Sequence, residues 1–138
     1  MADARTRVLV LLLAYFVVRL PWLFLVPMKE APDEYAHFWI LRFLTEHLRL
    51  PEAAEVLAGG PSAVYGSYPP FGYIPHVLTS LIGAKLAPAV DISLCSRFGS
   101  LLVGATLIPC ADYFGQLLFS RSRLFALALP LLIVFHPQ

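Results

Sequence analysis

The run VLVLLLAYFVVRLPWLFLVPM, residues 8–28, contains one charged residue, Arg19. About 20 consecutive apolar residues suffice for a helix to cross a bilayer. A secretory leader would have a shorter apolar core followed by a small-residue cleavage site. This run therefore predicts a membrane-spanning helix and leaves a water-soluble fold little room. The rest of the chain agrees: 59% of its residues are hydrophobic and only 14% charged, against about a quarter charged in soluble domains. The apolar runs are continuous and not alternating, which predicts an all-α helical integral membrane protein and not a barrel. The formal net charge of +1 gives no reason to expect a nucleic-acid partner. Cys95 and Cys110 lack metal-ligand spacing, so neither a disulfide nor a zinc site is expected.

Arg5 and Arg7 precede the first run and set the N-terminus in the cytoplasm by the positive-inside rule. Residues after Met28 then lie outside. The segment DEYAHFWILRFLTEHLRLP, 33–51, reads as an amphipathic helix over 33–50 stopped by Pro51. Asp33 is placed to cap it, and Glu34 suits its positive end. Tyr35 and Trp39 are expected to anchor this helix at headgroup level. Residues 51–70 read as a surface loop punctuated by Gly and Pro. Residues 71–88 are apolar but interrupted by Pro75, His76, Gly83 and Lys85. Read as an outer-face dip, they leave Arg121 and Arg123 in the cytoplasm beside Arg5 and Arg7. A second span covers 98–119, with Ser100/Gly104 and Ala111/Gly115 as small residues on a close-packing face. A third, incomplete span begins at 124 and runs to 138. Three spans around a large outer loop predict the front part of a longer protein.

Charges inside spans cost about 3 kcal/mol at mid-membrane on insertion scales. Arg19 and Asp112 must therefore face protein or water. The two are expected either to pair with each other or to contact further helices.

The segment APDEYAHFWILRFLTEHLRLP resembles the first outer loop of the GT-C glycosyltransferases. These are multi-spanning enzymes that use polyprenyl-phosphate sugars. The protein-mannosyltransferase and aminoarabinose-transferase group is the nearest in appearance, with an acidic pair after the first span and then a membrane-parallel helix ending near Pro. SYPPFGYIP is similar to that group's Pro-Pro-aromatic segment. SRFGSLLVGATLIPCADYFGQLLFSRSR is similar to its next, Arg-led span. The resemblance extends over nearly the whole chain in order and spacing. It is shared with bacterial membrane proteins of unassigned function that look like GT-C relatives. The chain departs from the pattern in lacking the later spans, later loops and C-terminal domain.

The resemblance implies an inverting glycosyltransferase of the bacterial inner membrane. It would move a sugar from a polyprenyl-phosphate donor to a hydroxyl of a glycan, lipid or protein acceptor on the outer face. It implies Asp33 as general base, Glu34 as its acidic partner and His37, one turn on, as a group that orients or protonates it. Tyr68, Pro70, His76 and Arg19 are the implied substrate contacts. A divalent metal, Mg2+ or Mn2+, is optional, with Asp33 as a carboxylate ligand; no other cofactor is expected. The remaining helices of a longer chain and the bilayer are the other partners. Read without the resemblance, Asp33 is an N-cap, Glu34 a dipole partner and His37 a polar residue on a wet face. The alternatives are then a non-catalytic membrane scaffold or a transporter fragment with Arg19 and Asp112 on its path.

Overall fold

The computed structural model describes residues 3–27 and 34–135. Seven α-helices and two 3-10 segments account for most of them, with no strand among the described residues. In chain order these are α1 Ala4–Arg19, α2 Trp22–Leu25, α3 Glu34–His47, α4 Ala53–Gly59, the 3-10 segments Gly60–Ser67 and Pro70–Tyr73, α5 Ile74–Leu86, α6 Ile92–Leu118 and α7 Arg123–Phe135. Two stretches, Ala4–Leu25 and Ile92–Leu118, are long and apolar enough to cross a membrane. The break between α1 and α2 falls at Pro21, which has no N–H to give the carbonyl four residues earlier. The chain divides into two compact units, 1–23 with 101–138, and 24–100.

The first unit joins α1, the later part of α6 and α7. Leu11, Tyr15, Leu101, Ile108, Ala126 and Val134 are among its buried apolar side chains. Glycine makes the close contacts, as the small-residue spacing predicts. A Cβ at Gly104 would overlap the buried Tyr15 ring, whose hydroxyl donates to the Leu101 carbonyl at 3.1 Å. A Cβ at Gly115 would run into the backbone carbonyl of Ala126. That carbonyl lacks its helical donor because position 130, four residues on, is proline. The bare oxygen and the glycine backbone thus meet directly.

Of the two alternatives for Arg19 and Asp112, pairing with each other does not occur. Asp112 is held by Arg7 through two hydrogen bonds of 2.8 Å, Nε to Oδ1 and Nη2 to Oδ2. The reason is register. Arg7 and Arg19 are twelve residues apart, about 18 Å along a helix. Asp112 lies near the end of α6 that meets the start of α1. Arg19 instead donates to the Ile133 carbonyl at 3.3 Å.

In the second unit α3 packs against the segment Gly60–Ser67 and against α5. Trp39, expected as a membrane anchor, packs within the unit. Its indole lies over two glycines, where added Cβ atoms would sit 2.9 Å (Gly59) and 3.2 Å (Gly66) from the ring. Those residues belong to the stretch read as an open loop, which is in fact α4 and a 3-10 segment. Glu55 organises its start: the carboxylate accepts from the Glu52 N–H at 2.8 Å and from Arg49 at 2.6 and 2.8 Å. The Arg49 guanidinium, then the Glu52 N–H, lower the Glu55 pKa to about 2. Tyr35, the other expected anchor, is exposed.

Candidate functional site

Three helical segments of the second unit each offer two polar side chains three residues apart. On a helix such residues share one face. Glu34 and His37 come from α3, Arg97 and Ser100 from α6. Tyr73 and His76 come from the junction of the second 3-10 segment with α5. Glu34 Oε1 meets Arg97 at 2.7 Å from Nη2 and 2.9 Å from Nε. His37 Nδ1 lies 2.7 Å from the Tyr73 hydroxyl. His76 Nε2 lies 2.8 Å from Ser100 Oγ. The three links close a ring that ties α3 to α6, α3 to the start of α5, and α5 to α6. Backbone contact reinforces it: a Cβ at Gly99 would sit 2.7 Å from the His76 Cα, so only glycine permits this approach.

Arg97 does more than pair with Glu34. Its Nη1 donates to the Val26 carbonyl at 2.7 Å and Nη2 to the Pro27 carbonyl at 3.2 Å. One guanidinium therefore holds the residues on both sides of 28–33. The His37 ring stacks on Tyr65 with centroids 4.3 Å apart and planes 22° apart. Tyr65 in turn packs against Tyr68 at 4.8 Å.

Burial raises the Tyr73 pKa and lowers that of His76, whose Nδ1 also contacts the Gly72 carbonyl at 3.1 Å. A carbonyl only accepts, so Nδ1 of His76 carries the proton and Nε2 accepts from the Ser100 hydroxyl. A histidine with a depressed folded-state pKa binds fewer protons folded than unfolded. Its contribution is present above the ordinary value near 6.5 and is lost as pH falls below it. Unfolding of the second unit, followed by Trp39 fluorescence in a Trp22→Phe background, should show stability rising from pH 5 to 7. His76→Gln should flatten that rise. An unchanged slope in the variant would remove His76 as its source.

Of the residues expected in a site, Glu34, His37 and His76 are brought together in the ring. Tyr68 is half exposed beside Tyr65, and Pro70 opens the 3-10 segment that delivers Tyr73. Arg19 belongs to the first unit, buried against α7. Asp33, as base and as metal ligand, lies outside the described residues. No group of three or more His, Cys, Asp or Glu that would hold a metal ion occurs among the described residues. No step through a metal is therefore derived.

Arg97 as an ion-pair partner, Tyr65, Tyr73 and Ser100 were not anticipated as members of a site. The three-residue spacing within each pair was visible in the sequence, but which pairs meet was not. Ser100 beside His76 has the look of a nucleophile with its base. It sits well inside α6, however, where backbone N–H groups serve the helix and cannot form an oxyanion hole. The chemistry available is that of a cation, an ion-paired carboxylate, two histidines and a cluster of tyrosines. No family model matches the chain, and neither does any curated protein or solved structure.

Proposed function

We propose that the chain is the N-terminal part of an inverting GT-C-type glycosyltransferase using a polyprenyl-phosphate sugar at the outer face of a bacterial inner membrane. The observation that carries this reading is the Arg97 guanidinium. It is bound at once to Glu34 and to the Val26 and Pro27 carbonyls. It thereby collects a cation, a carboxylate and the flanks of the segment bearing Asp33 just beyond a membrane-length apolar stretch. A lipid-phosphate donor is confined to that boundary, and a guanidinium suits its phosphate oxygens.

In the reaction the acceptor oxygen bonds to the anomeric carbon as the bond from that carbon to the phosphate oxygen breaks. The electron pair leaves with the polyprenyl phosphate. The acceptor's proton passes to a carboxylate, for which Asp33 is the candidate. Glu34, engaged by Arg97, is assigned a supporting role. One observation favours a non-catalytic scaffold instead: the polar groups of the ring already satisfy one another, as a helix clasp requires. Transfer of label from a polyprenyl-phosphate sugar, using vesicles that carry the longer reading frame, tests the proposal. Failure to transfer from a panel of such donors would overturn it.

The proposal includes three spans, 8–28, 98–119 and 124–138, with 71–88 on the outer face. α5 has 13 residues, about 20 Å at 1.5 Å per residue, against a hydrocarbon core of about 30 Å. In a background lacking Cys95 and Cys110, Ser122→Cys should react with an impermeant maleimide only from the cytoplasmic side. Labelling solely from outside would make α5 a span and reverse everything after it.

A further inference from the structure

We propose that Tyr73 is a positioning residue: it fixes His37 as the tautomer that carries its proton on Nε2, and His37 presents that N–H to a phosphate oxygen of the lipid donor. The proposal rests on the transferase reading above and adds a donor-binding role for the imidazole in place of an acid-base one.

The 2.7 Å contact between His37 Nδ1 and the Tyr73 hydroxyl admits two proton arrangements. If Nδ1 donated, the phenol's own proton would need another acceptor. Tyr73 is half-buried. Among the described residues, His37 is its one hydrogen-bond partner. The contact is open to solvent, so water can take that proton, and relative acidity decides between the two arrangements. If the phenol donates, Nδ1 is the acceptor and the more acidic group gives the proton. His37 is exposed, so its Nε2–H is satisfied by solvent or ligand in this arrangement. Stacking on Tyr65 fixes the ring plane, which leaves the Nε2–H direction set by two neighbours. The second histidine shows the contrast. His76 has a carbonyl at Nδ1 and a hydroxyl at Nε2, so its proton sits on Nδ1 and its Nε2 is committed inside the ring. Only His37 offers an N–H outward. It stands one turn from Glu34, whose charge Arg97 neutralises, so the carboxylate does not repel an anion from this end of α3.

The test uses the whole chain, 15N-labelled, in phosphatidylcholine nanodiscs, whose headgroups supply a constant phosphodiester background. Long-range proton–nitrogen spectra report each ring's tautomer directly. His37 should show a protonated Nε2 and a bare Nδ1, and His76 the reverse. Citronellyl phosphate, a short isoprenoid monophosphate, should shift the His37 Nε2 resonance. Citronellol and inorganic phosphate at the same concentration should not. Tyr73→Phe should give a tautomer mixture at His37 and weaken citronellyl phosphate binding by the reciprocal of the remaining Nε2–H fraction, about 2-fold for an even mixture. His37→Gln, whose amide nitrogen replaces Nε2, should bind within about 3-fold of the parent. His37→Asn, whose amide falls at Nδ1, should bind as poorly as His37→Ala. A protonated Nδ1 in the parent, an unchanged tautomer in Tyr73→Phe, equal binding by the Gln and Asn variants, or an equal response to inorganic phosphate would each overturn the inference. Binding of citronellyl phosphate without sugar transfer from any donor would sink the transferase reading alone and leave the His37 assignment standing.

Discussion

Asp33→Asn, in the longer reading frame, should lower sugar turnover by about 100-fold while expression and donor binding persist. Asn caps a helix about as well as Asp, so any capping at position 33 would be kept. What disappears is the carboxylate proposed to take the acceptor's proton, and a positioned base contributes about 100-fold or more. Glu34→Gln should act more mildly. It removes an ion pair to Arg97 whose side chains are 22% and 15% exposed, and the Gln carbonyl can still accept from the guanidinium. Steady-state assays on the two variants separate the roles. Full activity in Asp33→Asn, together with a loss of about 1 kcal/mol of stability in Asp33→Ala, would reduce Asp33 to a cap.

Arg7→Ala should destabilise the first unit by about 3 kcal/mol, at the lower end for breaking a buried pair because the Arg7 side chain is partly open to solvent. Asp112 has 5% of its side chain exposed against 28% for Arg7. Removing the cation therefore strands the carboxylate among apolar helices. Replacing both, Arg7→Leu with Asp112→Leu, removes the stranded charge and should recover most of the loss. Yield of inserted protein and thermal unfolding in detergent are the measurements. A double variant no more stable than Arg7→Ala would show that the pair carries no net coupling.

The helical content was legible because continuous apolar runs leave the backbone no other way to satisfy itself in lipid. The glycine spacing was legible for the same local reason, and Gly104 and Gly115 do make the close approaches. Three other features needed distances that no local pattern contains. Trp39 reads as a headgroup anchor until Gly59 and Gly66 are folded over it. Arg19 and Asp112 read as possible partners or as contacts for further helices, and only helix register shows that Arg7 takes the carboxylate. The helix at 53–59 escaped notice because Gly and Pro dominate its surroundings, although Glu52 and Glu55 marked its start. Of the site, each three-residue pair was written in its own helix. The pairing of Glu34 with Arg97, 63 residues apart, arises only when α3 meets α6.

The proline of α7 acts as an address. Pro130 erases a single amide proton, and the oxygen left behind is where another helix docks, Gly115 against Ala126. Recognition written in this way depends on backbone phase and hardly on which aliphatic side chains surround it. Leu, Ile and Val should exchange freely along this face. Moving Pro130 by one position would not be tolerated, since it would turn the bare oxygen by about 100° away from Gly115.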